Sequence, residues 1–205
     1  MTAVSPSILF CFDYISPYSY LAATQMPALA ARLGIPVIWQ PVNLPYLIRL
    51  SGNHPPATIP NKAKYLLRDL KQRAQLLDVP FRMIMPGAFD SRPALAATQA
   101  LAGEDRQRMA LAVFRALWAE GLDYRRDDWL QLALAAGQLP ADWSRPESYS
   151  QQMENVDHQT ANICNGGAFG APTFFVQGMG RRQMFWGVDR LDFLEHAMAQ
   201  KVHER

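Results

Sequence analysis

The stretch F-D-Y-I-S-P-Y-S-Y-L-A, Phe12 to Ala22, decides the fold. Upstream of it, Ile8 to Tyr14 (I-L-F-C-F-D-Y) is a short apolar and aromatic run, which reads as a buried strand. Ser16 and Pro17 interrupt that run, and proline suits the first position of a helix, where its missing N–H is harmless. The helix then continues to about Leu33, with Leu21, Ala22, Met26, Leu29 and Leu33 on one face. Pro27 suggests a kink within it, and Gly34 stops it. Pro36 to Val42 supplies a second strand. A strand–helix–strand unit of this kind implies a right-handed crossover and parallel pairing.

Beyond this unit the pattern changes. From about Pro45 to Asn165 the sequence is helical, with almost no strand signal. The expected helices are Asn61 to Leu77, Asp90 or Ser91 to Ala102, Glu104 to Glu120, Asp127 to Ala136 and Glu147 to Asn165, in a block of five or six. Strands return at Pro172 to Gln177 and Arg182 to Trp186, around a turn at Gly178 to Arg181. Asp189 to Gln200 closes the chain as an amphipathic helix. The order is β-α-β, a helical block, then β-β-α, which predicts an α/β domain split by a helical insertion. The expected division is one unit over 1–205, with the α/β part at 5–44 and 166–205 and the insertion at 45–165.

Composition excludes several classes of function. The chain has 205 residues, 49% of them apolar, so a substantial core can form. Its 20 basic and 18 acidic residues leave a net charge of only +2, which gives no case for a nucleic-acid partner. The two cysteines, Cys11 and Cys164, form no C-x-x-C, and the four histidines show no ligand spacing, so no metal is expected. Both cysteines are expected as reduced thiols. No secretory signal and no stretch near the roughly 18 apolar residues of a membrane span is visible. A cytoplasmic protein without membrane contact is the expectation.

Three segments carry candidate chemistry. Ser16 lies where the first strand meets the first helix, and ligands of open α/β sheets bind at the carboxyl ends of strands. A helix N-terminus there offers free N–H groups and partial positive charge, which favour an anion such as a thiolate. The same serine is also a favoured helix cap. In G-A-F-G-A-P-T-F-F, Gly167 to Phe175, the Ala171–Pro172 bond is a candidate cis peptide that presents the Ala171 backbone to a peptide-like ligand; an ordinary trans proline opening a strand is the alternative. In M-F-W-G-V-D-R-L, Met184 to Leu191, Asp189 reads either as a helix cap or as a carboxylate that holds an ammonium group.

Together these motifs resemble the bacterial 2-hydroxychromene-2-carboxylate isomerases and the kappa-class glutathione transferases, relatives of the DsbA-type oxidoreductases. The likeness spans nearly the whole chain and includes S-G-N-H-P-P at Ser51 to Pro56 and N-K-A-K-Y-L-L-R-D-L at Asn61 to Leu70. It implies a thioredoxin-like, DsbA-like fold with glutathione as cofactor. By this resemblance Ser16 stands at the first cysteine position of a redox relative and Ser19 at the second. Ser16 would be catalytic, donating a hydrogen bond to the glutathione sulfur. A free thiol ionises at about 8.5, so a shift of one unit raises the reactive fraction several-fold. Pro17, Tyr18, Asn53, Lys62, Ala171, Pro172, Val188 and Asp189 would complete the glutathione site. Valine at 188 departs from the serine or asparagine of relatives, which leaves a backbone contact and removes a side-chain one. Arg49 and Arg92 are candidates for the substrate carboxylate, with Lys62 and Lys64 beside them; each also reads as a surface charge. The implied reaction interconverts 2-hydroxychromene-2-carboxylate and trans-o-hydroxybenzylidenepyruvate. The alternatives are conjugation of glutathione to small electrophiles and a non-catalytic glutathione-binding module. A homodimer is implied by the resemblance alone.

Overall fold

A computed structural model describes residues 5–84, 89–178 and 183–203, with side chains through residue 199. The expected turn at Gly178 to Arg181 and the first residue of the expected strand at Arg182 fall largely outside these described residues. Strand β1 (Ser7–Phe12) leads into α1 (Pro17–Leu33), followed by β2 (Val37–Pro41). The helical block holds α2 (Leu44–Ser51), α3 (Pro60–Leu76), α4 (Arg92–Ala100), α5 (Gly103–Phe114), α6 (Trp129–Ala136) and α7 (Tyr149–Asn165). Strands β3 (Thr173–Gln177) and β4 (Gln183–Trp186) and helix α8 (Leu191–His203) end the chain.

The four strands form one mixed sheet in the order β2-β1-β3-β4. β1 pairs parallel with β2 and antiparallel with β3, while β3 and β4 pair antiparallel. As the apolar run implies, β1 is central and buried on both faces. Ile8, Phe10 and Phe12 join Leu21, Met26 and Leu29 of α1 in the larger core. Phe10 stacks on Phe174 at 5.3 Å and meets Trp39 edge-on at 5.0 Å. Cys11 and Phe175 face the other way, against Leu47 of α2 and Ile163 of α7. Burying each large apolar side chain stabilises the fold by about 1.5–3 kcal/mol, so the two-sided sheet is the rigid base on which the connecting turns stand.

α1 begins and ends on the residues that signalled it: Ser16 caps it, Pro17 opens it, and Gly34 closes it in a left-handed conformation with its N–H on the Ala30 carbonyl. The helix passes through Pro27. α2 was not assigned from sequence. α5 continues past Phe114 as a π turn, Arg115–Ala119, where one unbroken helix was expected. Asp189 lies in a short 3₁₀ turn, Val188–Arg190, before α8 and not inside that helix. Cys11 and Cys164 are not joined in a disulfide. Among the described residues no helix is long and apolar enough to cross a membrane.

Candidate functional site

At the end of β1 the chain turns sharply, and the Ser16 N–H closes the turn on the Asp13 carbonyl at 3.1 Å. Ser16 is thereby set as the cap of α1, its Oγ accepting the Ser19 N–H at 3.1 Å. Its own proton goes across the molecule to the Ala171 carbonyl, also at 3.1 Å. Ser16 is only 5% exposed, so this hydroxyl is held largely out of solvent. Ser19, one helical turn further, is fully buried, and its hydroxyl has no hydrogen-bond partner among the described residues.

The segment 169–172 is gripped from several sides. The Ala171–Pro172 bond is cis. The Asn53 side-chain amide donates to the Phe169 carbonyl at 3.0 Å, the Thr173 hydroxyl to the Gly170 carbonyl at 2.7 Å, and the Gly187 N–H to the Pro172 carbonyl at 3.0 Å. The structure therefore brings together Ser16, Asn53, Ala171, Pro172 and the turn before Val188. Two glycines permit this closeness. A Cβ on Gly170 would lie 2.7 Å from Trp186 Nε1, and one on Gly187, at φ +100°, would lie 2.4 Å from Asp189 Oδ1. The Phe169 and Trp186 rings meet at 4.8 Å, and Trp186 is 47% exposed, which leaves an aromatic shelf beside the Ala171 segment.

A second network leaves the first turn of α1. The Tyr18 hydroxyl donates to Asp69 Oδ2 at 2.7 Å, and Arg73 Nε donates to the same oxygen at 2.7 Å. Burial, and then the bond to Asp69, push the Tyr18 phenol well above its ordinary range, so it is a neutral donor. Arg73 also interacts electrostatically with Asp189. Between them opens a cleft of about 360 Å³, lined by Gln25, Leu29, Arg73, Val188, Asp189 and Leu191 among others. Val188 is buried and Asp189 exposed, with Arg190 Nη1 3.7 Å from its carboxylate.

Asp13 is a residue whose importance the sequence hid. It is fully buried, its Oδ1 accepts the Ile15 N–H at 3.2 Å, and its Oδ2 accepts the Leu44 N–H at 2.8 Å. Burial raises its carboxyl to about 6, an effect reduced by hydrogen bonds from Ser91 and from the Leu44 and Ile15 backbone. A lone acid ending an apolar strand was the available signal.

The basic residues lie differently. Lys62 and Lys64 are exposed near the start of α3. Arg49 is exposed on α2, its guanidinium 4.9 Å above the Tyr46 ring. Arg92 is clasped by Asp90 through bonds of 2.8 and 2.7 Å, on the surface. The contacts of Arg49 and Arg92 are thus local ones and do not include the Ser16–Ala171 cluster.

Comparison with known proteins adds to this geometry. Residues 7–199 match the DSBA-like thioredoxin domain. The chain is 32% identical over 197 residues to a 2-hydroxychromene-2-carboxylate isomerase of Sphingobium xenophagum, covering 94% of this chain and 97% of that protein. It is 25% identical over 210 residues to glutathione S-transferase kappa 1 of Rattus norvegicus, covering 96% and 93%. Among solved structures, that of selenomethionine 2-hydroxychromene-2-carboxylate isomerase superposes with a TM-score of 0.81 at 26% identity, over 96% of each chain.

Proposed function

The chain belongs to the DSBA-like thioredoxin family, which it shares with the isomerases just named, and from that premise we propose that it is a glutathione-dependent isomerase. The proposed reaction interconverts 2-hydroxychromene-2-carboxylate and trans-o-hydroxybenzylidenepyruvate. The observation that carries the proposal is the Ser16 hydroxyl, held as helix cap and aimed at the Ala171 carbonyl.

The donors and acceptors present suit the tripeptide. The Ala171 carbonyl can take the cysteinyl N–H in place of the Ser16 proton, which frees the hydroxyl to turn toward sulfur. Ser16 Oγ keeps the Ser19 N–H through this exchange, so the hydroxyl pivots about a fixed oxygen. The N-terminus of α1 adds partial positive charge at the same point. Asn53, Lys62 and Asp189 would offer an amide, an ammonium and a carboxylate to the polar ends of the ligand; of these, Asp189 lines the cleft of about 360 Å³ together with Val188. Glutathione bound there supplies a thiolate nucleophile that adds reversibly to an electrophilic carbon and departs after rotation about the resulting single bond. Ser16 and the helix terminus favour the anion over the thiol. A serine at position 16 cannot form a mixed disulfide, so thiol–disulfide exchange is not proposed.

Turnover of 2-hydroxychromene-2-carboxylate should require glutathione and leave its concentration unchanged. Ser16→Ala should lower kcat/KM about a hundredfold, the scale of losing one donor to a developing anion. Equal turnover without glutathione would falsify the proposal. The likeness to a kappa transferase supports a second reading, conjugation to electrophiles, in which glutathione is consumed; product analysis separates the two. The proposal includes a homodimer in the cytoplasm, which rests on family likeness and is checked by light scattering and fractionation.

A further inference from the structure

The proposed chemistry makes no use of Asp13, yet the molecule buries this carboxyl completely. A carboxylate taken out of water is retained only where hydrogen bonds or a counter-charge compensate it. Among the described residues Asp13 forms no ion pair; its compensation comes from N–H groups and a hydroxyl. The position of those donors is informative. Ile15 N–H immediately precedes Ser16, whose own N–H rests on the Asp13 carbonyl. Leu44 N–H opens α2, and the other end of α2 leads through Gly52 to Asn53, whose N–H caps back on Ile48. One side chain thus fastens both segments that reach the 169–171 strip, Ser16 through the Ala171 carbonyl and Asn53 through the Phe169 carbonyl.

The neighbouring groups do not take over this role. From the residue that precedes α4 comes the Ser91 hydroxyl, which bonds to the carboxylate. Tyr14, on the strand side, shares its hydroxyl with Thr98 of α4. Arg106 of α5 is spent on the carbonyls of Leu101, Trp39 and Gln99. Asp157 of α7 accepts from the Asn43 amide, and Thr160 from the Asn43 N–H.

We propose that Asp13 is a positioning residue for glutathione: ionised, its two oxygens hold the Ser16 turn and the start of α2 together at the spacing the tripeptide needs; protonated, it holds one of them less firmly and weakens binding. This rests on the functional reading above. A neutral carboxyl is a weaker acceptor than a carboxylate, most of all at the oxygen that carries the proton, so the N–H bond on that oxygen is weakened whichever one it is. Because burial lifts this carboxyl to about 6, the change falls in the mildly acidic range. By linkage, ligand binding near pH 6 should release a proton.

The test uses calorimetry with S-methylglutathione, which has no thiol and no other group that titrates between about pH 5 and 7.5. In the intact protein its Kd should weaken about tenfold from pH 7.5 to 5, the scale of one charge-assisted hydrogen bond. Asp13→Asn, which imitates the neutral acid, should bind as weakly at pH 7.5 as the unaltered protein does at pH 5, and its profile should be flat. Ser91→Ala removes a bond that favours ionisation, so it should move the midpoint upward while leaving Ser16 and Asn53 in place. The titration is repeated in His54→Gln, because this exposed imidazole stands next to Asn53. In the free protein, the Ile15 and Leu44 amide resonances should titrate with one common midpoint. A pH profile that is flat in the unaltered protein, or unchanged in both Asp13→Asn and Ser91→Ala, overturns this inference and leaves the functional reading standing. Absence of binding at every pH overturns both.

Discussion

The mouth of α1 and the basic residues of the helical block are both candidate binding regions, and they are built in opposite ways. At the mouth, Ser16 and Asn53 are joined to the 169–171 strip across more than a hundred residues of sequence by bonds of about 3 Å, Gly187 is joined to Pro172 from nearer in the chain, and Ser16 itself is buried. In the block, Arg49 and Arg92 are exposed, and each is engaged within its own neighbourhood. The Ser16 bonds are shielded and hold a geometry before a ligand arrives, although the Asn53 bond is exposed; an exposed ion pair contributes about 0–1 kcal/mol and reorganises easily. The part assigned to glutathione is therefore preorganised, and the part assigned to the substrate carboxylate is adaptable.

The comparison can be broken or sharpened in three ways beyond those already given. The largest expected effect is on stability against pH. The Asp13 carboxyl is pushed up to about 6, so the folded chain holds this proton more tightly than the unfolded chain does. Its stabilising contribution is complete below about pH 4 and is lost as pH rises through 6, a swing of roughly 3 kcal/mol. Urea unfolding from pH 4 to 7.5 should show this component in the unaltered protein and lack it in Asp13→Asn. Parallel slopes would mean that the mouth carries no such buried charge.

Next comes Gly187→Ala. Its φ of +100° disfavours any side chain, and the new Cβ would push the Asp189 carboxylate aside. Thermal unfolding should report a loss of about 1–3 kcal/mol, and the glutathione Kd should rise about tenfold, one charge-assisted bond. If stability falls but binding is untouched, Asp189 does not hold the ligand. The smallest effects belong to the surface. Arg92→Ala and Arg49→Ala should each leave stability within about 0.5 kcal/mol and leave the glutathione Kd unchanged. A several-fold rise in substrate KM for one of them alone would identify the carboxylate partner, and no rise for either would remove both from the substrate site.

Much of the α/β framework was legible because its signals are local. The apolar run before Asp13, the Ser-Pro pair and Gly34 mark β1 and both ends of α1, and the structure has these elements there. α2 was missed because it is eight residues long, carries Pro45 in its first turn and buries only Leu47. Its anchors are remote: the Leu44 N–H on Asp13 and the Asn43 N–H on Thr160. The π turn at 115–119 has no local marker and was read as more of α5. At the site, Ser16 and the Ala171–Pro172 bond stand out through residue type and position. Asp13 does not, since an acid after five apolar residues looks like a strand reaching water, and only the packed structure reveals it as covered. Arg92 shows the converse. Its partner Asp90 is two residues away, so its engagement could have been read locally.

A carboxylate sealed inside without a cation has a consequence for any effort to make this protein more robust. A search that rewards resistance to heat at neutral pH would find replacements at position 13 attractive, because a well-packed neutral side chain sheds the burden of charge. By the role proposed for Asp13, variants selected in that way would survive longer and bind glutathione less tightly, so hardiness and performance pull in opposite directions at this one residue.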